Sequence, residues 1–414
     1  MILRSRARRS LTAAPQEPAG HALARARGVL LLALCLCLTL PLAAQAPAAE
    51  KRPFDEASWS LFQKVFSLVL RDYVDSKKPE QVVLGALQGA AESAGPECAY
   101  VPPAEVKGYV ALSEPGPTLP LYVTKYGDFA RVLAVFPGQD PAVRPGDPLR
   151  FIGTASTYDL TYPQVLQALR GKDGDSVKCV FLKQDAWQSY EVTMTRRMPP
   201  PPRVIPLGGD GAALALPCLE AAPSAAVAAE LEAARGPVLV DLRGCASFDA
   251  GAALRWAGEL LGPREGPPMK GSRGTRRLAL TGPGLLAGRP FRVLVDQSTA
   301  RGGEVLAMAL QGGGGVLVGA PTYGYAPMIE DIPLENGGLL RLATAYFLGP
   351  DGEMVKEKPI APAIALDFPA GEKPEETCRR ALKAPAPPSK VEAEKPQPDT
   401  RAKAPEAGDA GEKK

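Results

Sequence analysis

Residues 293–310 read VLVDQSTARGGEVLAMAL. A run of β-branched and leucine residues from 291 to 295 reads as a strand buried on both faces. The stretch from Gly302 to 311 reads as a helix entered through two glycines. Upstream, PVLVDLRG (237–244) is a second buried strand, followed by the helical AGAALRWAGELLG (250–262). Downstream, GGGGVLVGA (312–320) supplies a third strand. Helix-like SAAVAAELEAA (224–234) precedes them. Strand–helix–strand alternation predicts βαβ units and a mostly parallel sheet, an α/β core over residues 203–370.

Other patterns flank this core. Over residues 113–197, LPLYVT, FARVLAVF, PLRFIGT, SVKCVFLK and YEVTMTR are short β-type runs between turn signals, with one helical stretch, YPQVLQALRG. This predicts a small β-barrel carrying a helix, and residues 199–202 (four prolines) form the linker to the core. Residues 54–112 begin with helical periodicity: Trp59, Phe62, Val65, Phe66, Val69 and Leu70, then residues 82–91. Two helices joined around residues 75–79 are expected. Residues 384–414 are Pro, Ala, Lys and Glu with one valine, too little apolar area to offset ordering entropy, so a disordered tail is expected. The fold class is thus multidomain α+β and α/β.

Residues 1–27 hold six arginines and one glutamate, and an apolar run of about 16 residues then ends at Ala44-Gln45-Ala46. A basic start, an apolar run shorter than a bilayer span and an A-x-A ending describe a signal peptide over residues 1–46. The expectation is an exported, periplasmic or envelope protein. Membrane contact follows only if the leader stays uncleaved as an anchor. Of 414 residues, 48 are Lys or Arg and 45 are Asp or Glu. Removing the leader leaves 42 basic and 44 acidic residues, so the body carries no electrostatic signature for nucleic acid.

The only histidine, His21, lies in that leader. Its removal excludes Ser-His-Asp and Cys-His catalysis and histidine metal centres. Five cysteines remain: Cys98, Cys179, Cys218, Cys245 and Cys378. Their odd count and wide spacing give no disulfide framework and no CxxC metal pattern, so no metal and no cofactor is expected. Buried free thiols are the default, with one disulfide open.

The order of motifs resembles the C-terminal processing peptidases, secreted Ser/Lys peptidases with an inserted PDZ domain. SAGPECAYVPPAEVKGY (93–109) resembles their LDPHSxYLPPEEYKEF, and PAVRPGDPLRFIG (141–153) resembles their PAxxAGLKxGDxIxxIxG. LRGKDGDSVKCVFLK (169–183), VLVDLRG (238–244), the opening stretch at 293–310, LVGAPTYGY (317–325) and residues 334–355 follow in the family's order. The resemblance spans roughly residues 55–368. It implies that residues 113–197 form a PDZ-like domain, which captures a peptide C-terminus by strand addition. The peptide-binding positions would be Leu119, Pro120, Leu121 and Tyr122. They lack the family's glycine, and Pro120 lacks a donor N–H.

The family needs a serine nucleophile and a neutral lysine base. Counting back from Glu304 in its SASASE motif puts Arg301 at the nucleophile position. The lysine of TFGKG falls on Tyr325, and the base's glutamine partner on Ile329. Arginine is no nucleophile, and tyrosine is a weak base with a pKa near 10. The family's oxyanion loop, positions Gly244, Cys245, Ala246 and Ser247, reads Cys245-Ala246-Ser247-Phe248 where the family has NPGG, with Ser and Phe in place of the glycine pair. Rescue candidates are Ser298 and Thr299 by a shifted register, and Cys245 as a thiol beside a cation; its bland alternative is a small space-filling residue. Arg301 is either a salt-bridged arginine or a cleft cation that pairs with Glu304 or binds a peptide carboxylate.

The expected function is an exported, catalytically inactive relative that binds peptide or protein C-termini, or an active protease paralogue, as adaptor or scaffold. The rival is an active serine-type endopeptidase with a rearranged site. A third reading makes the charged tail the interaction element of an envelope protein.

Overall fold

The computed structural model describes residues 56–136, 142–184, 186, 188–221, 224–369 and 371–385. The leader, His21 and the tail beyond residue 385 lie outside them. The chain enters through helices α1 (Glu56–Asp72) and α2 (Pro79–Glu92), the pair expected from periodicity. Pro79 opens α2 at a position where a missing N–H costs nothing, and the Gln81 side chain accepts the Lys78 backbone N–H at 3.3 Å. A short strand β1 (Ala99–Val101) and helix α3 (Pro103–Val110) follow.

Residues 118–197 build an antiparallel module from β2 (Leu121–Thr124), β3 (Ala130–Val135), β4 (Pro148–Ile152), β5 (Ala155–Ser156), helix α4 (Tyr162–Leu169), β6 (Ser176–Leu182) and β7 (Ser189–Thr195). The strand order is β2-β3-β4-β6-β7, with β5 on the side of β4. Along β7, Val192 and Met194 are buried between exposed neighbours, the alternation of a sheet with one wet face. Its own core joins Leu121, Val123 and Val132 to Phe181 and to Val165 and Leu169 of α4.

The core follows with β8 (Arg203–Pro206), β9 (Ala212–Ala215), α5 (Ala225–Ala233), β10 (Val238–Asp241) and α6 (Ala250–Leu261). Next come the short strands β11 (Arg264–Glu265), β12 (Met269–Gly271), β13 (Gly274–Arg276) and β14 (Ala279–Leu280), then β15 (Phe291–Val295), α7 (Gly302–Gly312), β16 (Val316–Gly319), β17 (Pro327–Pro333), β18 (Leu339–Phe347), β19 (Ile364–Ala365) and α8 (Pro374–Lys383). The main sheet has order β8-β9-β10-β15-β16-β19 and is parallel except for β8.

The side-chain period of two splits this sheet between two cores. Val238, Val240, Val293, Val295 and Leu317 face one side, packed with Trp256, Leu260, Leu306 and Leu310 of α6 and α7. Leu239, Leu294 and Val318 face the other, against Cys378 and Ala381 of α8. Helix α8 had no forecast in the sequence. It is charged on most of its surface, and only the small stripe Thr377, Cys378 and Ala381 is buried. A sheet hydrophobic on both faces needs such a cover.

A second sheet runs β1-β18-β12-β13, with β17 on the other side of β18. The pairing Ala99↔Arg341 fixes β1 against the core and holds the preceding turn, Pro96 and Glu97, beside the carboxyl ends of the main sheet. All five cysteines among the described residues are buried and free.

Candidate active-site cleft

Three strand ends converge. β10 ends in the Asp241–Ser247 loop, β15 in residues 296–301, and β16 in residues 320–325. The crevice outside the carboxyl ends of parallel strands is where open α/β sheets bind ligands. The loops are stapled together. Gly244 N–H donates to Asp296 Oδ1 at 3.3 Å, Ala300 N–H to the Cys245 carbonyl at 2.9 Å, and Tyr323 N–H to the Thr299 carbonyl at 3.0 Å.

Arg301 sits at the strand-to-helix turn with φ 52° and ψ −118°, a left-handed conformation that a non-glycine residue adopts at a cost of about 1–3 kcal/mol. A strained strand-to-helix elbow is the backbone shape that projects a nucleophile from an α/β sheet. The following glycine explains how tightly it is built: a Cβ on Gly303 would stand 2.2 Å from the Cys245 carbonyl oxygen. The elbow is therefore present, and an arginine stands on it.

The arginine is 3 % exposed. Its Nη2 donates to Glu97 Oε1 and, at 2.5 Å, to the Val123 carbonyl, while its guanidinium carbon lies 5.8 Å from the Tyr162 ring centroid. The expectation that it pairs with Glu304 is corrected. Glu304 is fully buried and spends its carboxylate on the Thr322 hydroxyl and on the N–H groups of Gly324 and Tyr325, each at 2.7 Å. Burial pushes that carboxyl up to about 7. Glu97 takes the guanidinium instead because the β1–β18 pairing brings it there from about 200 residues away. Nor is Arg301 open to a peptide carboxylate.

Tyr325 does stand next to Arg301, as the motif alignment requires. Arg301 N–H donates to the Tyr325 carbonyl at 2.8 Å, and the Tyr325 hydroxyl donates to the Pro96 carbonyl at 3.1 Å. Both side chains thus end on the same turn. Burial and the nearby Glu97 carboxylate raise the Tyr325 hydroxyl far above its ordinary value, which removes it as a base at neutral pH. Ile329 is half-buried at a β-bulge in β17 and lines a cavity of about 310 Å³ with Phe248, Met328 and Arg341.

The oxyanion-loop positions are equally closed. Cys245 N–H donates to the Leu242 carbonyl at 3.1 Å, and Gly302 N–H donates to the Ser247 carbonyl at 3.0 Å. The Ser247 hydroxyl donates to Glu220 at 2.5 Å, and the second Glu220 oxygen accepts the Cys218 thiol at 2.8 Å. The N–H groups of Cys245 and Gly302 are thus spent inside the protein and not offered to a developing oxyanion.

The acid beside the rescue candidates is Asp296, whose Oδ1 accepts the Thr299 hydroxyl at 3.2 Å and is shared with the N–H groups of Gly244 and Ser298. Thr299 is buried, and its hydroxyl donates to the Leu242 carbonyl at 2.9 Å and accepts the Asp296 N–H at 3.0 Å. Ser298 is half-buried, with its N–H on Asp296. Burial and the Glu220 carboxylate push the Cys245 thiol well above its usual range, so it is not a thiolate. Lys125, the buried lysine near β2, donates to the carbonyls of Gly127, Asp128, Thr157 and Tyr158 and is a structural cation. Among the described residues no cluster of His, Cys, Asp and Glu has metal-ligand geometry.

At the peptide-binding positions, Leu119, Pro120, Leu121 and Tyr122 are all buried. Leu119 N–H donates to the Leu169 carbonyl at 3.0 Å, and Leu121 N–H turns back onto the Leu119 carbonyl at 2.8 Å. No free amide nest is left there for a carboxylate.

Sequence reasoning missed Glu97, Tyr162, Glu220 and Arg341. Glu97 carried a signal: it stands where the LDPHSxY stretch has histidine, so a new acid and a new base appear together at two motif positions. Arg341 has no such mark. It is 6 % exposed, its guanidinium carbon lies 5.6 Å from the Tyr162 ring centroid, and its Nη1 donates to the Tyr109 hydroxyl at 2.8 Å.

The model for peptidase family S41 matches residues 225–366. A carboxy-terminal-processing protease of Bartonella bacilliformis is 33 % identical over 86 residues, 20 % of this chain and 20 % of that protein. The carboxy-terminal processing protease CtpB of Bacillus subtilis is 31 % identical over 81 residues, 19 % of this chain and 17 % of that one. Over these stretches the chain is similar to the C-terminal processing peptidases. These alignments span about a fifth of each curated relative's length. The solved photosystem II D1 C-terminal processing protease covers 80 % of this chain and 98 % of its own with a TM-score of 0.59 at 18 % identity, a likeness of fold. At the positions matched to that family's motifs, the structure places the Arg301 elbow, Glu304 bonded to Thr322 and Gly324, and a buried Arg301–Glu97 pair beside Tyr325.

Proposed function

We propose that the protein is a catalytically inactive C-terminal processing peptidase that binds peptides or proteins as an adaptor or scaffold. One observation carries the reading: the elbow holds a guanidinium buried against Glu97, with a protonated tyrosine hydroxyl where a neutral lysine is needed. A guanidinium neither attacks a carbonyl nor gives up its proton at neutral pH. The antiparallel module of residues 118–197 is read as PDZ-like, on its strand order and its helix α4 beside β2. Its ligands would be peptide or protein C-termini, or an active paralogue, in the periplasm or envelope after export by the leader.

The test is cleavage. Purified protein incubated with substrates bearing apolar C-terminal tails should release no product above buffer over a day, by mass spectrometry. Product formation that disappears in Ser298→Ala or Thr299→Ala would establish the rival, a rearranged serine peptidase. Export is tested separately by N-terminal sequencing of the secreted protein; a start at residue 47 is expected.

A further inference from the structure

A peptide that adds to the antiparallel module beside α4 would use the outer edge of β2, one of the sheet's two edge strands, whose inner edge is paired with β3. That edge is already in use. The Val123 carbonyl accepts Arg301 Nη2 at 2.5 Å, and the Lys125 carbonyl accepts the Glu97 N–H at 2.9 Å. The Leu121 N–H is folded back onto Leu119. One backbone group each of Leu121 and Val123 in β2, and of Lys125 just after it, is thereby engaged from within the chain. Arg301 also stands in the wall of the apolar groove between β2 and α4, together with Leu121, Val123, Phe136, Leu166 and Leu169.

The closure is also charged. Arg301 comes from the core, Glu97 from the segment before β1, and Val123 and Tyr162 from the antiparallel module. One guanidinium therefore ties three parts of the chain. An arginine fork suits this, because its rigid set of donors reaches a carboxylate and a carbonyl at once.

We propose that Arg301 and Glu97 act as an internal plug that occupies the β2 edge and holds the peptide groove shut, so that a peptide with an apolar C-terminus binds only when this pair is displaced. This rests on the peptide-binding reading above and gives it a gate. The nucleophile position has become the lock of the binding site.

The experiment compares the wild type with the double variant Glu97→Gln/Arg301→Met, which removes both charges together and leaves no lone buried ion. The probe is a fluorescein-labelled decapeptide ending in three apolar residues with a free carboxylate, read by fluorescence anisotropy. Circular dichroism first establishes that both proteins melt cooperatively. Should the double variant fail to fold, Arg301→Gln in the wild-type background takes its place. The expected result is at least tenfold tighter binding by the variant. Hydrogen exchange should also show new protection of the β2 amides when peptide is added. Equal affinity of both folded proteins overturns the plug and leaves peptide binding standing. Absence of binding by either protein overturns the peptide-binding reading and the plug with it.

Discussion

Two carboxylates bracket the Arg301 elbow, and each is buried in a different way. Glu304, inside α7, is held by neutral donors: one hydroxyl and two backbone N–H groups. Glu97, in the turn before β1, is held by a guanidinium. The first is local, since every donor lies within 21 residues; the second joins positions 204 apart in sequence. A carboxylate held by neutral dipoles is a matter of loop shape, and its proton stays negotiable. A carboxylate held by a cation depends on the partner alone, and losing either member strands a charge.

The largest break in this comparison is Glu97→Ala. It leaves Arg301 buried without its counter-ion and should cost about 3–5 kcal/mol of unfolding free energy, read by urea denaturation. The double variant Glu97→Gln/Arg301→Met should recover most of that loss. A double-mutant cycle with no coupling between the two positions would show that the pair is not the tie inferred from its geometry.

Next comes the proton on Glu304. Its folded value of about 7 lies above the ordinary 4.5, so the folded state holds the proton more tightly than the unfolded one. The stability it lends is complete below about pH 4.5 and is lost as the pH rises through 7, by at most about 3 kcal/mol. Denaturation midpoints at pH 5 and pH 7.5 should show the fall, and Glu304→Gln should flatten it. A wild type whose midpoint rises over that range would refute the assignment.

A smaller effect is expected in the scaffold. Asp249 caps α6 by accepting the Gly251 N–H at 2.7 Å, and Asp249→Ala should cost about 1 kcal/mol without touching peptide binding. The smallest expected change is none. Arg301→Ser/Tyr325→Lys restores both reactive side chains, yet hydrolysis should stay at background, because the Gly302 N–H remains on the Ser247 carbonyl and the loop lacks its glycine pair. Turnover by that variant would show that the oxyanion site is not closed.

The strands and helices of the core were legible because β10, β15 and β16 are short, mostly apolar runs and α6 and α7 follow β10 and β15 with helical spacing. Helix α8 was not, because its buried stripe is small and its surface charged. Counting from Glu304 singled out Arg301 and Tyr325 in the sequence, and the structure sets the two side by side. The partner of Arg301 was misread. Glu304 is near in sequence but points into its own loop, and Glu97 is far in sequence but pinned by the β1–β18 register.

By itself, the sequence determined the α/β core, the antiparallel module and the likeness to the C-terminal processing peptidases, since each of these is written in local pattern and motif order. Only the tertiary structure decided what surrounds Arg301. Burial turns a lone arginine into half of an ion pair, and strand pairing chooses its acid. The same packing sets that arginine on the edge of β2, where it meets a carbonyl that no spacing rule could have placed beside it.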